Sequence, residues 1–105
     1  MTAHEIPGVA GVLTPEQCLQ TAVSIADTQE TSGAIPWSVG GHTDPWDHVE
    51  NAMALTVAGL LEPARAAFEW CRTAQRPDGS WPIQLRNGVV EDANTDSNFC
   101  AYIAT

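Results

Sequence analysis

Gln75-Arg76-Pro77-Asp78-Gly79-Ser80-Trp81 is the stretch that most restricts how this chain folds, because it ends a helix, turns sharply and then sets down a large aromatic ring. The helix before it is expected from Pro63 to about Gln75. Ala64, Ala67, Phe68, Cys71 and Ala74 recur at three- and four-residue intervals and form one apolar stripe. Pro63 suits a first turn, where a missing N–H leaves no bond unmade, and Pro77 forbids continuation. Asp78-Gly79 is a turn pair, since glycine reaches positive φ freely and aspartate bonds its own backbone. A Gln before the turn and a Trp after it tie a helix end to the next element.

The same plan occurs earlier in the chain. Gly33 follows four residues after Gln29, Trp37 comes soon after, and Gln75 stands 46 residues beyond Gln29. Thr14-Pro15-Glu16-Gln17 is a capping box opening a first helix that runs to about Thr28, with Cys18, Leu19, Ala22, Val23, Ile25 and Ala26 as its buried stripe. A unit recurring every few tens of residues marks a repeat architecture. Residues 14–59 and 60–105 therefore read as two helical hairpins, preceded by a loose arm over 1–13.

In the first copy, a second helix starts after Thr43 or Asp44, with Pro45 in its first turn, and stops near Gly59. Trp46, Val49, Met53, Val57 and Leu60 line one side of it. In the second copy, residues 81–86 alternate, Asn87-Gly88 is a type I′ turn signal and Val89-Val90-Glu91 returns, which predicts a short β-hairpin over 81–91. A fourth helix begins near Thr95 or Asp96 and carries Phe99, Cys100, Tyr102 and Ile103. Its pattern is still helical at Thr105. Helical hairpins in an array bury only the faces they share, so the chain is expected to be part of a longer one or to self-associate through its open side. The expected class is all-α with one inserted β-hairpin.

Gln75-x-x-Asp78-Gly79-Ser80-Trp81 resembles the Gln-x-x-x-Gly-x-Trp repeat of squalene and oxidosqualene cyclases and protein prenyltransferases, and Gln29…Gly33…Trp37 looks like a loosened copy. A second stretch, Asp44-Pro45-Trp46-Asp47-His48-Val49-Glu50, resembles the aromatic and acidic opening of an inner helix in glucoamylase-like six-hairpin glycosidases. Both resemblances imply an α/α toroid in which the second and fourth helices face inward. The first implies a prenyltransferase or terpenoid cyclase acting on an isoprenoid, with Mg²⁺ if the substrate is a diphosphate. The second implies a glycosidase acting on a saccharide. A third reading is a non-catalytic helical repeat that binds a partner in an acidic groove.

Lys and Arg number 4 against 13 Asp and Glu, a net charge of −9, which repels nucleic acid and anionic lipid. No window approaches the roughly 18 uninterrupted apolar residues of a membrane span. Met1-Thr2-Ala3-His4-Glu5 lacks a basic secretory start, so a cytoplasmic location is expected. Cys18, Cys71 and Cys100 are odd in number and widely spaced, and are expected to act as small buried hydrophobes.

The loops leading into the inner helices would build the site. Asp47 stands where the glycosidase resemblance puts a general acid, with Asp in place of that family's Glu. It needs a carboxyl kept protonated by burial and, if the enzyme inverts, a second carboxylate to activate water. Its plainer role is an acidic residue in a first helical turn. Asp92 and Asp96 are the acids nearest to a cyclase motif, although Glu91 to Asp96 matches neither Asp-x-Asp-Asp nor Asp-Asp-x-x-Asp; Asp96 would otherwise cap a helix. Trp37, Trp46, His48 and Trp81 are the expected substrate contacts, although Trp81 reads first as a packing residue. No metal site is expected: His42, His48 and Asp44 lack paired ligand spacing, and the Asp, Cys and His order of a prenyltransferase zinc site is missing.

Overall fold

A computed structural model describes residues 6–105, so the first part of the expected N-terminal arm, residues 1–5, lies outside it. The elements in chain order are α1 (Pro15–Thr28), β1 (His42–Thr43), α2 (Pro45–Val57), α3 (Leu61–Ala74), β2 (Gln84–Arg86), β3 (Val89–Asp92) and α4 (Ser97–Ala104). About half of the chain is helical. The expected lone β-hairpin is instead part of a three-stranded antiparallel sheet in the order β1-β2-β3, so the all-α expectation is corrected. The hairpin turn itself forms as read, with Asn87 and Gly88 at φ 48° and 78°. The unforeseen strand is β1, which pairs His42 with Arg86 and Thr43 with Leu85.

The two Gln-to-Gly segments are built by the same hydrogen bonds. Gln29 Nε2 donates to the carbonyl of Gly33 at 3.0 Å, and Gln75 Nε2 donates to that of Gly79 at 2.9 Å. Glu30 N–H donates to Ala34 O and Arg76 N–H to Ser80 O, each at 2.8 Å. Both Gln residues end their helices in extended backbone, at φ/ψ −60°/134° and −63°/130°. The match continues past the turn with a longer offset. Ile35 N–H donates to His48 Nδ1, and Trp81 N–H meets Cys100 Sγ. Asp44 caps α2 by accepting from Asp47 N–H, as Asp96 caps α4 by accepting from Phe99 N–H. Equivalent positions are thus 46 apart through the turn and 52 apart in the following helix, the difference being the β2–β3 insertion. By this register Trp81 corresponds to Ile35, and not to Trp37.

Helix α2 packs against α1, α3 and α4. Its buried residues are Pro45, His48, Val49, Ala52 and Leu55, whereas Met53 and Val57 of the expected stripe are exposed. On α3 the inward residues are Ala64, Ala67, Trp70 and Cys71; Phe68 faces out and Trp70, absent from the expected stripe, is buried. The first turn decides this rotation. Gly33, at φ 95°, lies so close to α3 that a Cβ there would be 2.2 Å from the carbonyl oxygen of Ala66 and 3.4 Å from Cβ of Trp70. Gln29 Nε2 adds a bond to the Pro63 carbonyl at 2.9 Å. Only Ala22 of α1 is fully buried; Leu19 and Val23 remain substantially exposed because α1 rests mainly on α2.

Arg76, just past the end of α3, ties the hairpin down. Its guanidinium donates to Ser80 Oγ, the carbonyls of Trp81 and Ala93, and Thr95 Oγ1. Glu69 pairs with Arg72, and Arg65 reaches Glu62. Cys71 is buried as expected, and that burial pushes its thiol up to about 11, whereas Cys18 and Cys100 are only partly buried. No helix among the described residues is long and apolar enough to cross a membrane.

Candidate functional site

The capped start of α2 is the centre of the candidate site. Asp44 is almost fully buried and uses both carboxylate oxygens: Oδ1 accepts from Asp47 N–H at 2.9 Å, and Oδ2 accepts from Trp37 Nε1 at 2.7 Å. Asp44 therefore orients Asp47 and an aromatic ring at once. Trp37 is 64% exposed yet held in place, because its N–H is fixed by Asp44 and its face lies 4.5 Å from the His42 ring. One turn further on, Trp46 Nε1 donates to Glu50 Oε1 at 3.1 Å, the i,i+4 neighbour. Trp46 also stacks on Tyr102 of α4, at 4.2 Å and 10°, and Tyr102 O–H donates to the same Glu50 oxygen.

Asp47 sits among these groups, and its carboxyl is held above the ordinary carboxylate value of 3.8. Partial burial is the main cause, followed by the negative charges of Asp44 and Glu50 and a hydrogen bond toward Asp44; His42 opposes the shift. Two open depressions meet at this residue. One, about 430 Å³, lies toward α1 and is lined by Ser24, Thr28, Glu50 and Asn51 together with Trp37 and Asp47. The other, about 350 Å³, lies toward α4 and is lined by Trp46, Asp96, Asn98 and Phe99 with Asp44 and the same Trp37 and Asp47. Both volumes fall within the range of small-molecule sites.

The structure thus brings Trp37, Trp46, Asp47 and Asp96 of the expected site residues to one groove. Asp92 lies on β3, where its Oδ1 accepts from Asn94 N–H, and it lines neither depression. His48 is fully buried: Nδ1 accepts from Ile35 N–H at 3.1 Å, so Nε2 carries the proton and donates to Ala67 O at 2.8 Å. Its ring lies 4.3 Å from Trp70. Trp81 is 6% exposed and donates from Nε1 to the Cys71 carbonyl at 2.7 Å. These two side chains support the groove walls from behind. Asp44, Glu50 and Tyr102 were not among the expected site residues. The Trp46–Glu50 spacing was readable on a helix, whereas Tyr102 takes the place of Glu50 only in the 52-residue register, which the hairpin insertion conceals.

The buried His48 gives a measurable acid response. Burial lowers its affinity for a proton below the ordinary imidazole value of 6.5, against the opposing pull of the Ala67 carbonyl and the Asp44 charge. A protonated ring would also lose the acceptor that Ile35 N–H uses. Since the unfolded chain takes up this proton first, the stabilisation is full above about 6.5 and is lost as the pH falls through that value toward the lowered folded one. Urea unfolding midpoints at pH 7.5 and 5.5 should differ in the wild type and differ less in His48→Gln. Equal pH dependence in both proteins would contradict this assignment.

No protein-family model matches the chain. The chain is similar to the MMP endo-(1,4)-3-O-methyl-alpha-D-mannosidase of Mycolicibacterium hassiacum, at 85% identity over 100 residues. That match takes in 95% of this chain but 28% of the relative, so the chain spans little more than a quarter of the length of the protein it resembles. A match this strong to a protein named as a mannosidase overturns the prenyltransferase, squalene cyclase and terpenoid cyclase resemblance. The isoprenoid substrate loses its support with it. The repeated Gln-to-Gly motif that suggested those enzymes is a helix-ending device: in both copies the Gln amide satisfies a turn carbonyl, a need any stacked helical array shares.

Proposed function

We propose that this chain is part of a longer glycosidase-like enzyme of α/α-toroid type, in which residues 14–59 and 60–105 supply two helical hairpins and the groove at the start of α2 binds a saccharide. The observation that carries the proposal is the placement of Asp47, a carboxyl with a raised proton affinity at the junction of two depressions walled by tryptophans. Its similarity to a relative named for endo action on (1,4)-linked 3-O-methyl-α-D-mannose supports that substrate class.

In this reading a glycan chain lies along the groove with its scissile bond over Asp47. The ring of Trp37 stacks on an apolar sugar face, and its bond to Asp44 fixes it in advance at little entropic cost. Asp47 in its neutral form donates a proton to the glycosidic oxygen as the bond breaks. Asp44 holds the Asp47 backbone through the capping bond, and with Glu50 its negative charge keeps the proton on Asp47. Asp96 keeps one oxygen on Phe99 N–H and offers the other to a sugar hydroxyl. The carboxylate that activates water or attacks the sugar comes from the remainder of the longer protein. Asp92, His48 and Trp81 take no step in the reaction.

The test uses the full-length protein and oligosaccharides of α-(1,4)-linked 3-O-methylmannose. Internal cleavage, seen as shorter oligosaccharides by mass spectrometry, is the expected result. Intact oligosaccharide after prolonged incubation overturns the enzymatic reading, and binding without cleavage would leave a saccharide-binding module.

A further inference from the structure

The two depressions on either side of Asp47 differ in chemistry. Toward α1 the lining sets Ser24, Thr28, Glu50 and Asn51, spread along two helices, beside Ile25, Ile35 and Pro36, and its open surface is mainly polar. Toward α4 the surface is mostly ring. Trp46 and Phe99 lie with centroids 6.1 Å apart, with Asp44, Asp47, Asp96 and Asn98 around them. Both oxygens of Asp44 are taken, by Asp47 N–H and Trp37 Nε1, and Asp96 Oδ1 is taken by Phe99 N–H. Trp46 cannot swing away, since it is stacked on Tyr102 and bonded to Glu50.

We infer that the groove is directional, with the Trp46–Phe99 depression receiving the O-methyl ether of a methylated sugar and the α1 depression receiving hydroxylated faces, so that Phe99 sets the preference for methylated over unmethylated substrate. This rests on the saccharide reading above. A methyl ether removes one hydroxyl donor and adds an apolar carbon. Against the Trp46 and Phe99 rings it buries that carbon while the free oxygen of Asp96 keeps a neighbouring hydroxyl, whereas in the α1 depression it would strand donors and acceptors. One such group in an apolar pocket discriminates by roughly 10- to 200-fold, and removing the wall that contacts it removes most of that ratio.

The experiment compares kcat/KM of the full-length protein on α-(1,4)-linked 3-O-methylmannose oligosaccharides and on unmethylated α-(1,4)-mannose oligosaccharides of equal length. Phe99→Ala should lower the methylated-to-unmethylated ratio by about fivefold or more. Phe99→Leu, which keeps an apolar side chain against the core, should give an intermediate ratio and serves if the alanine variant does not fold. Thr28→Ala, on the α1 side, should reduce both values alike and leave the ratio as in the wild type. An unchanged ratio in folded Phe99 variants, or a ratio that moves with Thr28 instead, overturns the inference while leaving the saccharide reading intact. A wild-type protein inactive on both oligosaccharides overturns that reading, and this inference with it.

Discussion

Asp47→Asn in the full-length protein is expected to lower kcat/KM on a 3-O-methylmannose oligosaccharide by ~10²–10⁴-fold, the contribution of a positioned general acid. The amide keeps the size and the backbone contacts of the aspartate but has no acidic proton to give. Stability should not follow activity. The raised proton affinity of Asp47 means that its charged form, which predominates at neutral pH in an exposed chain, is disfavoured where it sits between Asp44 and Glu50. A neutral amide relieves that repulsion, so the urea midpoint at pH 7 should stay level or rise slightly, even after the loss of a small favourable helix-dipole term. In the wild type, activity should decline on the alkaline side as the Asp47 proton is lost. Asp47→Asn retaining more than a tenth of wild-type activity, or losing activity and midpoint together, would remove the residue from the reaction.

The second large effect is structural. Trp81→Ala should cost about 3–5 kcal/mol of unfolding free energy, the range for deleting a buried large aromatic. Trp81 fills the space between α3 and α4, packed in one cluster with Trp70, Leu85 and Ile103, and its N–H satisfies the Cys71 carbonyl near the open end of α3. Against a typical total of 5–15 kcal/mol this is a large share. Trp81→Phe keeps most of the contact area and gives up the hydrogen bond, so a cost nearer 1–2 kcal/mol is expected. Activity per folded molecule should survive both changes, because Trp81 stands behind the groove and not in it. A midpoint for Trp81→Ala within error of the wild type would show that the cluster does not depend on it.

Local signals explain which parts of this fold were legible. The Thr14–Gln17 capping box, the Asp44 and Asp96 caps and the Asn87-Gly88 turn each depend on residues within four positions of one another, and each forms as its sequence dictates. Helix rotation was harder to read. Phe68 and Trp70 are both large aromatics on α3, and a stripe running through either is plausible; the choice falls to Gly33, whose backbone presses on Ala66 from far away in sequence. On α2, scoring His48 as polar and Ala52 as merely small hid the face that faces inward, and drew the stripe to Met53 and Val57 instead. The imidazole belongs inside because a backbone N–H and a backbone carbonyl await its two nitrogens, and neither partner is local. The groove was half visible. Asp47, Trp37, Trp46 and Asp96 could be picked out by type and loop position, but the Asp44 bond that locks Trp37 and the Tyr102 stack that locks Trp46 require tertiary neighbours.

The pairing of β1 with β2 joins the first helical unit to the second by main-chain hydrogen bonds, reinforced where Arg86 Nη1 reaches the Gly40 carbonyl at 3.1 Å. The six additional residues of the second unit therefore act as a clamp across the rim, on the segment that leads into Asp44. Neighbouring helix pairs stacked by side chains alone can tilt against each other. Here backbone hydrogen bonds span the gap between the two helix pairs, so their spacing at this edge is set as the chain folds.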